Sequence, residues 1–219
     1  MEHYNVTQTS PTSLHVEGLP DATKIVQLGD AKARRVGDLA LHRSDLAFAL
    51  ECLDAIPQHN DVPIIQAALW RSAIVSYFKS FGDPGKRFQL DATQVYKGQP
   101  PEALQVFEFM KSLRNKHIVH DENTYKLFMV GAAINDGSKE HRVEKMLAMV
   151  HTYEVLSSES LHSFRFLVKY ALKWITRQFD QCAELITAEL ERLPYNDLAT
   201  RPSVTFQTPT VADVNKSRE

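Results

Sequence analysis

The chain has 219 residues, of which 43% are hydrophobic and 24% charged, and this is the composition of a folded globular protein. Its formal net charge is −2, so the chain as a whole is not attracted electrostatically to nucleic acid or anionic lipid. Any contact with RNA must therefore come from a local basic patch. Cys52 and Cys182 lie in apolar helical patterns and are expected to be free thiols in a reducing, cytoplasmic compartment. We expect no signal peptide and no membrane span, because no apolar run reaches about 18 residues.

The first part of the chain, residues 1–43, is expected to be an irregular lead-in. Residues 1–20 have no hydrophobic period, and residues 24–28 have the composition of one short strand. Gly29 and Gly37 argue against a single long helix across this region.

Residues 44–193 carry the helical patterns and are expected to form the folded domain. The first helix begins at Ser44, a plausible N-cap, and ends before Pro57. A second helix is expected over residues 61–81, followed by a loop over residues 83–100 and a third helix that opens at the end of that loop.

Two apolar runs, residues 125–134 and 146–153, flank an Asn-Asp-Gly turn and predict a β-hairpin. The longest helix follows, capped by Ser157 or Ser158, with apolar residues at three- and four-residue steps to Leu193. The chain is therefore predicted to be mostly α, a bundle of about four helices with a small β-hairpin inserted before the long last helix.

The last helix is apolar over about nine turns, more than a lone bundle is expected to cover. We therefore expect a homodimer. Residues 194–219 are polar and aperiodic, and they are expected to form a disordered tail.

The third helix ends in the most informative stretch of the chain, Leu113-Arg114-Asn115-Lys116-His117-Ile118-Val119-His120-Asp121. On a helical wheel of about 100° per residue, Arg114 and His117 fall inside the apolar arc, and His120 lies toward one edge of it. Burying a guanidinium in a core costs free energy unless it binds a carboxylate or a phosphate, or lies in a water-filled cleft.

Three interpretations of Arg114 are open. It pairs with a buried carboxylate such as Asp45 or Asp61 while the histidines cap a helix end. It binds phosphate together with His120 in a cleft, where histidine exchanges a proton near neutral pH. In the third interpretation, the helix face packs against another protomer and its polar groups set the register.

The segment Arg114-Asn115-Lys116-His117-Ile118-Val119-His120 resembles the signature of HEPN domains, the higher-eukaryote and prokaryote nucleotide-binding superfamily. That signature is an Arg, often followed by Asn, and then a His after four to six residues; here five intervene. The wider stretch looks like the abortive-infection branch of the superfamily, and the order of helices over residues 44–193 is also similar.

The resemblance implies a metal-independent ribonuclease that works as a homodimer, with the motif helices meeting at the interface. In such an enzyme Arg114 stabilises charge on the phosphate, His120 moves a proton, Asn115 holds the geometry, and His117 shares or takes the proton-transfer role. Other members of the superfamily are binding or scaffold domains, so the alternative is a non-catalytic dimeric interaction module in which Arg114 and His120 are structural.

The same resemblance implies RNA and an antitoxin or regulatory protein as partners, in bacterial defence. No cofactor is expected. A metal site is not expected either, because the His117-x-x-His120-Asp121 stretch offers at most two or three ligands and no second His/Cys cluster accompanies it. The pair Glu159-x-x-His162 lacks the second copy that a di-iron bundle needs.

Overall fold

The computed structural model describes residues 6–10, 13–19, 21–82, 85–120, 122–153, 155–205 and 209–216. The chain divides into two compact units. One, here called the terminal unit, joins residues 1–40 and 176–219; the other, the central unit, comprises residues 41–175.

The helices of the described residues are α1 (Ala31–Ala55), α2 (Pro63–Phe78), α3 (Ala92–Val95), α4 (Pro101–Leu113), α5 (Ser158–Leu190) and α6 (Tyr195–Ala199). The strands are β1 (Val6–Ser10), β2 (Ser13–Val16), β3 (Lys126–Ile134) and β4 (Val143–Thr152). They form two separate antiparallel hairpins, β1–β2 and β3–β4. The fold is mostly α with a small hairpin before the long helix α5, and this prediction is confirmed.

Helix α1 begins well before Ser44, the start that the sequence pattern predicts. Its N-terminus is capped by Asp30, whose Oδ1 accepts a hydrogen bond from the backbone N–H of Ala33 at 2.7 Å. Gly37 lies inside the helix, at a cost of about 1 kcal/mol relative to alanine. Burial of neighbouring side chains such as Leu39, which is completely buried, offsets that cost. The glycine was therefore a poor indicator of a helix boundary.

The terminal unit contains more structure than its sequence patterns indicate. The β1–β2 hairpin lies in the lead-in that was expected to be irregular. Val26, in the expected short strand, forms a single antiparallel bridge with Ser203, and the backbone N–H of Gln27 donates to the carbonyl of Pro202 at 2.8 Å. The segment expected to be a disordered tail thus holds α6 and a backbone pairing that no local pattern reveals.

The expected loop between the second and third helices is part of the core. It contains the short helix α3, capped by Asp91, whose Oδ1 accepts from the backbone N–H of Thr93 at 2.9 Å. Leu90, Val95 and Tyr96 are buried. The loop is held in place by these side chains as well as by its two ends.

An aromatic core joins α2, α3, α4 and α5 in the central unit. The ring centroid of Tyr77 lies 5.2 Å from that of Phe164, and Trp70 meets the same phenylalanine at 5.4 Å, both edge to face. Phe107 of α4 lies 5.1 Å from Phe81. These contacts give the bundle its specific packing, because aromatic pairs of this geometry add to the stabilisation from burial alone.

Helix α5 begins where the sequence predicts. The Oγ of Ser157 accepts from the backbone N–H of Ser160 at 3.1 Å, and the Oγ of Ser160 accepts from the backbone N–H of Ser157 at 2.8 Å. This reciprocal pair satisfies donors that the first helical turn leaves without intrahelical partners. The predicted serine cap is confirmed.

The β3–β4 hairpin runs in register from the pair Lys126 and Thr152 to the pair Ile134 and Val143, with one irregularity near the turn. Gly137 in the turn has a φ of +82°, which favours glycine over any side chain. Its N–H donates to Asn135 Oδ1 at 2.9 Å. Every residue of β4 and nearly every residue of β3 is exposed.

Candidate functional site

The candidate motif does not continue the α-helix. Helix α4 ends at Leu113, and residues Arg114–Val119 form a π-helical segment that packs against α2. A π-helix bonds residue i to i+5 and is wider than an α-helix, so the wheel used for the sequence prediction is wrong beyond Leu113. Single π-helical turns are frequent at functional sites.

Arg114 is half-buried at the start of this segment. Its Nη1 donates to the side-chain Oδ1 of Asn115 at 2.8 Å. Its Nε is buried and has no hydrogen-bond partner, and among the described residues no carboxylate pairs with the guanidinium. A buried donor without a partner costs about 1–3 kcal/mol, more for a charged group. The site therefore holds a cation whose hydrogen-bonding capacity is only partly used.

The carboxylates proposed as partners of Arg114 lie elsewhere. Asp45 is bound by Arg87, whose Nη2 donates to Oδ2 at 2.7 Å, and by the Nζ of Lys79 at 3.5 Å from Oδ1. Asp61 is exposed in the turn before α2. The interpretation in which Asp45 or Asp61 neutralises Arg114 is wrong.

His117 is the second group with unused hydrogen-bonding capacity. It is half-buried, and its Nδ1 is buried and has no hydrogen-bond partner in the part of the chain that the structure describes. Its ring meets Tyr125 edge to face at 5.7 Å between centroids, and Tyr125 lies 5.3 Å from Tyr153. Tyr125 thus lies beside the motif, and Tyr153 packs against Tyr125 at the open end of the β3–β4 hairpin.

The sequence patterns do not identify these tyrosines as site residues. The pairing of the predicted hairpin could have identified them, because it places Tyr125 and Tyr153 opposite each other. The N–H of Tyr153 donates to the carbonyl of Tyr125 at 2.7 Å. Tyr153 is 57% exposed, so the aromatic side chain that packs on Tyr125 is accessible to solvent.

His120 lies just outside the π-helical segment. Its backbone is extended, with φ −122° and ψ 156°, and its side chain is exposed. The N–H of Glu122 donates to the carbonyl of Lys116 at 2.9 Å, which closes the end of the segment. His120 is therefore free of the helix face on which the wheel placed it. Asp121, the last residue of the quoted motif, lies outside the described residues.

Metal ligands are not grouped at this site or elsewhere in the described ranges, where no cluster of three or more His, Cys, Asp or Glu side chains could hold an ion. Cys52 is buried and Cys182 half-buried, and both are free thiols. Among the residues described, no helix combines the length and apolar character needed to cross a bilayer.

These groups together have the chemistry of an anion site. A guanidinium and an imidazole each keep a buried nitrogen without a partner, a second imidazole is exposed, and an aromatic ring faces solvent. Arginine binds phosphate through two parallel N–H groups, and histidine can transfer protons at neutral pH. No protein-family model, curated protein or solved structure matches the chain.

Proposed function

We propose that this protein is a HEPN-type, metal-independent ribonuclease or RNA-binding toxin-like domain that acts in bacterial defence. One observation carries the proposal: the buried Nε of Arg114 and the buried Nδ1 of His117 have no hydrogen-bond partner, and no described carboxylate neutralises the arginine. A phosphodiester supplies both the negative charge and the acceptor oxygens that such a site lacks.

Arg114 binds the phosphate that is cleaved. Its guanidinium is oriented by Asn115, whose side-chain oxygen already accepts from Nη1 at 2.8 Å. That contact leaves Nε and Nη2 for phosphate oxygens. Charge on these oxygens increases in the transition state, so a positioned guanidinium stabilises the transition state more than the substrate.

Histidine moves the proton. The 2′-hydroxyl of the RNA gives its proton to an imidazole and attacks the adjacent phosphorus. The bond from phosphorus to the 5′-oxygen breaks, and that oxygen takes a proton from a protonated acid. The products are a 2′,3′-cyclic phosphate and a 5′-hydroxyl. His120, which is exposed and lies outside the helix, is the first candidate for the imidazole that takes the proton of the 2′-hydroxyl, and His117 is the second.

Tyr153 offers a stacking surface for a base next to the cleaved bond. Stacking of a base on an aromatic side chain contributes about 1–3 kcal/mol and tolerates any sequence. The ring is more than half exposed and belongs to the aromatic pair that includes Tyr125, the neighbour of His117. This position suits a local RNA contact on a chain whose net charge is close to zero.

The partners of this function are a second copy of the chain, RNA, and an antitoxin or regulatory protein that restrains the activity in the cytoplasm. A homodimer provides two motifs, one from each chain. The non-catalytic interaction module makes the opposite prediction, because it binds a partner without cleaving RNA.

The test is cleavage of a defined oligoribonucleotide in the presence of a metal chelator. We expect His120→Gln to lower the cleavage rate by about 100-fold or more, since a positioned proton-transfer group contributes that much. We expect a loss of about 100-fold or more for Arg114→Ala as well, since it removes a positioned donor to the charge of the transition state. Arg114→Lys keeps the charge but loses the planar fork, so we expect only partial recovery. His117→Gln distinguishes the two histidines.

Matched controls use residues of the same type far along the chain. Arg192→Ala and His162→Gln change exposed side chains and should leave cleavage unchanged. The same oligonucleotide made of DNA lacks the 2′-hydroxyl and should remain intact. Full activity of both Arg114→Ala and His120→Gln, or cleavage that requires a metal, would overturn the mechanism. Absence of cleavage with dimerisation intact would favour the interaction module.

A further inference from the structure

The β3–β4 hairpin exposes an unusual amount of apolar surface. Its large apolar side chains are between 42% and 79% exposed, and they are Leu127, Phe128, Met129, Val130, Ile134, Val143, Met146, Leu147, Met149 and Val150. The strand register divides them between the two faces of the hairpin: Phe128, Val130, Met146 and Val150 share one face, and Leu127, Met129, Leu147 and Met149 share the other. Exposed apolar side chains grouped in this way mark interaction sites.

Among the residues that the structure describes, no third strand joins this hairpin. A two-stranded hairpin is marginally stable in water by itself, and three or more strands are the usual minimum. Strands of nine and ten residues that pair only with each other leave two long backbone edges unpaired. An exposed, long, apolar edge is a template for pairing with another chain.

The two edges differ in charge. β4 carries Glu144, Lys145 and His151, and charged side chains on an edge oppose pairing with another strand. β3 has no charged residue after Lys126. The β3 edge is therefore the one that lacks protection.

The backbone direction of β3 is set by one hydrogen bond. The N–H of Tyr153 donates to the carbonyl of Tyr125, so the backbone groups of Tyr125 point toward β4. Backbone groups alternate in direction along a strand. The even-numbered residues Phe128, Val130 and Ala132 therefore direct their N–H and C=O groups away from β4, toward the open edge.

We propose that the β3 edge pairs antiparallel with the β3 edge of a second copy of this chain, about a two-fold axis at Val130. The two hairpins then form one four-stranded sheet in the order β4, β3, β3 of the second copy, β4 of the second copy. Two-fold symmetry places Val130 opposite Val130, and both direct their backbone groups to the shared edge, as an antiparallel hydrogen-bonded pair requires.

Side-chain size supports this register. The first half of β3 is large and the second half is small: Leu127-Phe128-Met129 precede Val130, and Gly131-Ala132-Ala133 follow it. Antiparallel pairing about Val130 sets Leu127 against Ala133, Phe128 against Ala132 and Met129 against Gly131 of the second copy. Each of these three large side chains then meets a small one, which avoids crowding on either side of the axis. This inference does not rest on the proposed RNA chemistry.

The first test removes one outward N–H from each edge. Val130→Pro deletes an N–H that has no partner within the hairpin, so only pairing across the β3 edge is lost. The matched control is Val150→Pro. Val150 is opposite Phe128 in the register, so its N–H points to the outer edge of β4, and its side chain is 67% exposed against 66% for Val130.

Light scattering and sedimentation over a range of concentrations measure the result. The wild-type chain should reach twice its mass of 24.9 kDa. Val130→Pro should raise the dimer dissociation constant by about tenfold or more, equivalent to at least about 1.4 kcal/mol, and Val150→Pro should behave as wild type. A wild-type monomer at every concentration, or an equal effect of the two prolines, would overturn the proposal. If the β3 edge binds an unrelated protein instead, the purified wild-type chain should be a monomer at every concentration.

The second test uses charge and does not depend on how the hairpin tolerates proline. Val130→Lys places two lysines opposite each other at the axis, and Val130→Glu places two glutamates there; like charges directly opposite destabilise a strand pair. Each variant alone should dissociate, and an equimolar mixture should form the mixed dimer. A mixture that remains monomeric while each variant keeps its helical circular dichroism would overturn the register. Measuring RNA cleavage on the same variants separates this proposal from the proposed function.

Discussion

The aromatic core of the central unit and the β3–β4 hairpin are both rich in large apolar side chains, but they differ in what covers those side chains. Phe164 of α5 is completely buried between Trp70 and Tyr77, whereas Phe128 of β3 is 79% exposed. The core is complete within one chain. The hairpin has the composition of a buried strand pair without the layers that bury one. Apolar composition therefore coincides with a buried core in one case and with an exposed surface in the other.

The largest effect that tests this comparison comes from truncating the two phenylalanines. Phe164→Ala should lower the free energy of unfolding by about 3–5 kcal/mol, because it removes a buried ring and leaves a cavity. Phe128→Ala should change it by less than about 0.5 kcal/mol when measured at low protein concentration, because the side chain is exposed within its own chain. Urea unfolding followed by circular dichroism measures both.

Phe166, on the same helix as Phe164 and 44% exposed, is the control for the loss of a phenylalanine from α5. The loss in the free energy of unfolding for Phe166→Ala should lie between the losses for Phe164→Ala and Phe128→Ala. A loss for Phe128→Ala as large as that for Phe164→Ala would mean that the hairpin is packed within its own chain, and the comparison would fail.

The second effect concerns the polar groups inside the core. Tyr77 and Tyr96 are hydrogen-bonded through their hydroxyls, and Tyr96 Oη donates to the carbonyl of Leu167 at 3.1 Å. Tyr96→Phe leaves the Tyr77 hydroxyl buried without a partner, so we expect a loss of about 1–3 kcal/mol. Tyr77→Phe leaves Tyr96 bonded to Leu167, so we expect a loss of about 1 kcal/mol or less. Equal losses in urea unfolding would contradict this order.

Alkaline pH should weaken the core before it affects the hairpin. Burial raises the pKa of Tyr77 and Tyr96 well above the usual value of about 10, and their contact raises that of Tyr77 further. In the unfolded chain both phenols ionise from about pH 10, while in the folded chain they stay neutral. Stability from these groups is therefore complete below about pH 10 and is lost as the pH rises above it.

The measurement is the free energy of unfolding between pH 8 and pH 11, with the double variant Tyr77→Phe, Tyr96→Phe as control. The double variant should be less stable at neutral pH and should have a flatter profile. A profile of unchanged steepness would assign the alkaline loss to other groups.

The smallest effect is expected at acid pH in the hairpin turn. The Lys139 ammonium, 2.6 Å from Glu144 Oε1, lowers the pKa of Glu144, and the side-chain amide of Asn135 lowers it further. The contribution of this carboxylate is complete above its ordinary pKa of about 4.3 and is lost as the pH falls through the lowered value. The NMR signals of the Asn135 amide should report this titration. Glu144→Gln should abolish it, and core signals should not follow it.

Local patterns in the sequence were sufficient for α2, α4, α5 and the β3–β4 hairpin. Apolar spacing, the Ser157 cap and the Asn-Asp-Gly turn act over a few residues, so they can be read without knowledge of the fold. The start of α1 was missed because Gly37 carries a local penalty that burial elsewhere in the helix offsets. The bridge between Val26 and Ser203 joins distant parts of the chain, and neither segment has a pattern that identifies the other.

The candidate site also has features that the sequence identifies and features that only the tertiary structure reveals. The sequence by itself placed Arg114, Asn115, His117 and His120 in one short stretch and raised the question of what the arginine faces. Only the tertiary structure showed that Asp45 pairs with Arg87, that the motif is a π-helical segment, and that Tyr125 lies between His117 and Tyr153. The physical reason is range: helix period and capping depend on near neighbours, whereas ion pairing, burial and strand pairing depend on which distant residues the fold brings within a few ångströms.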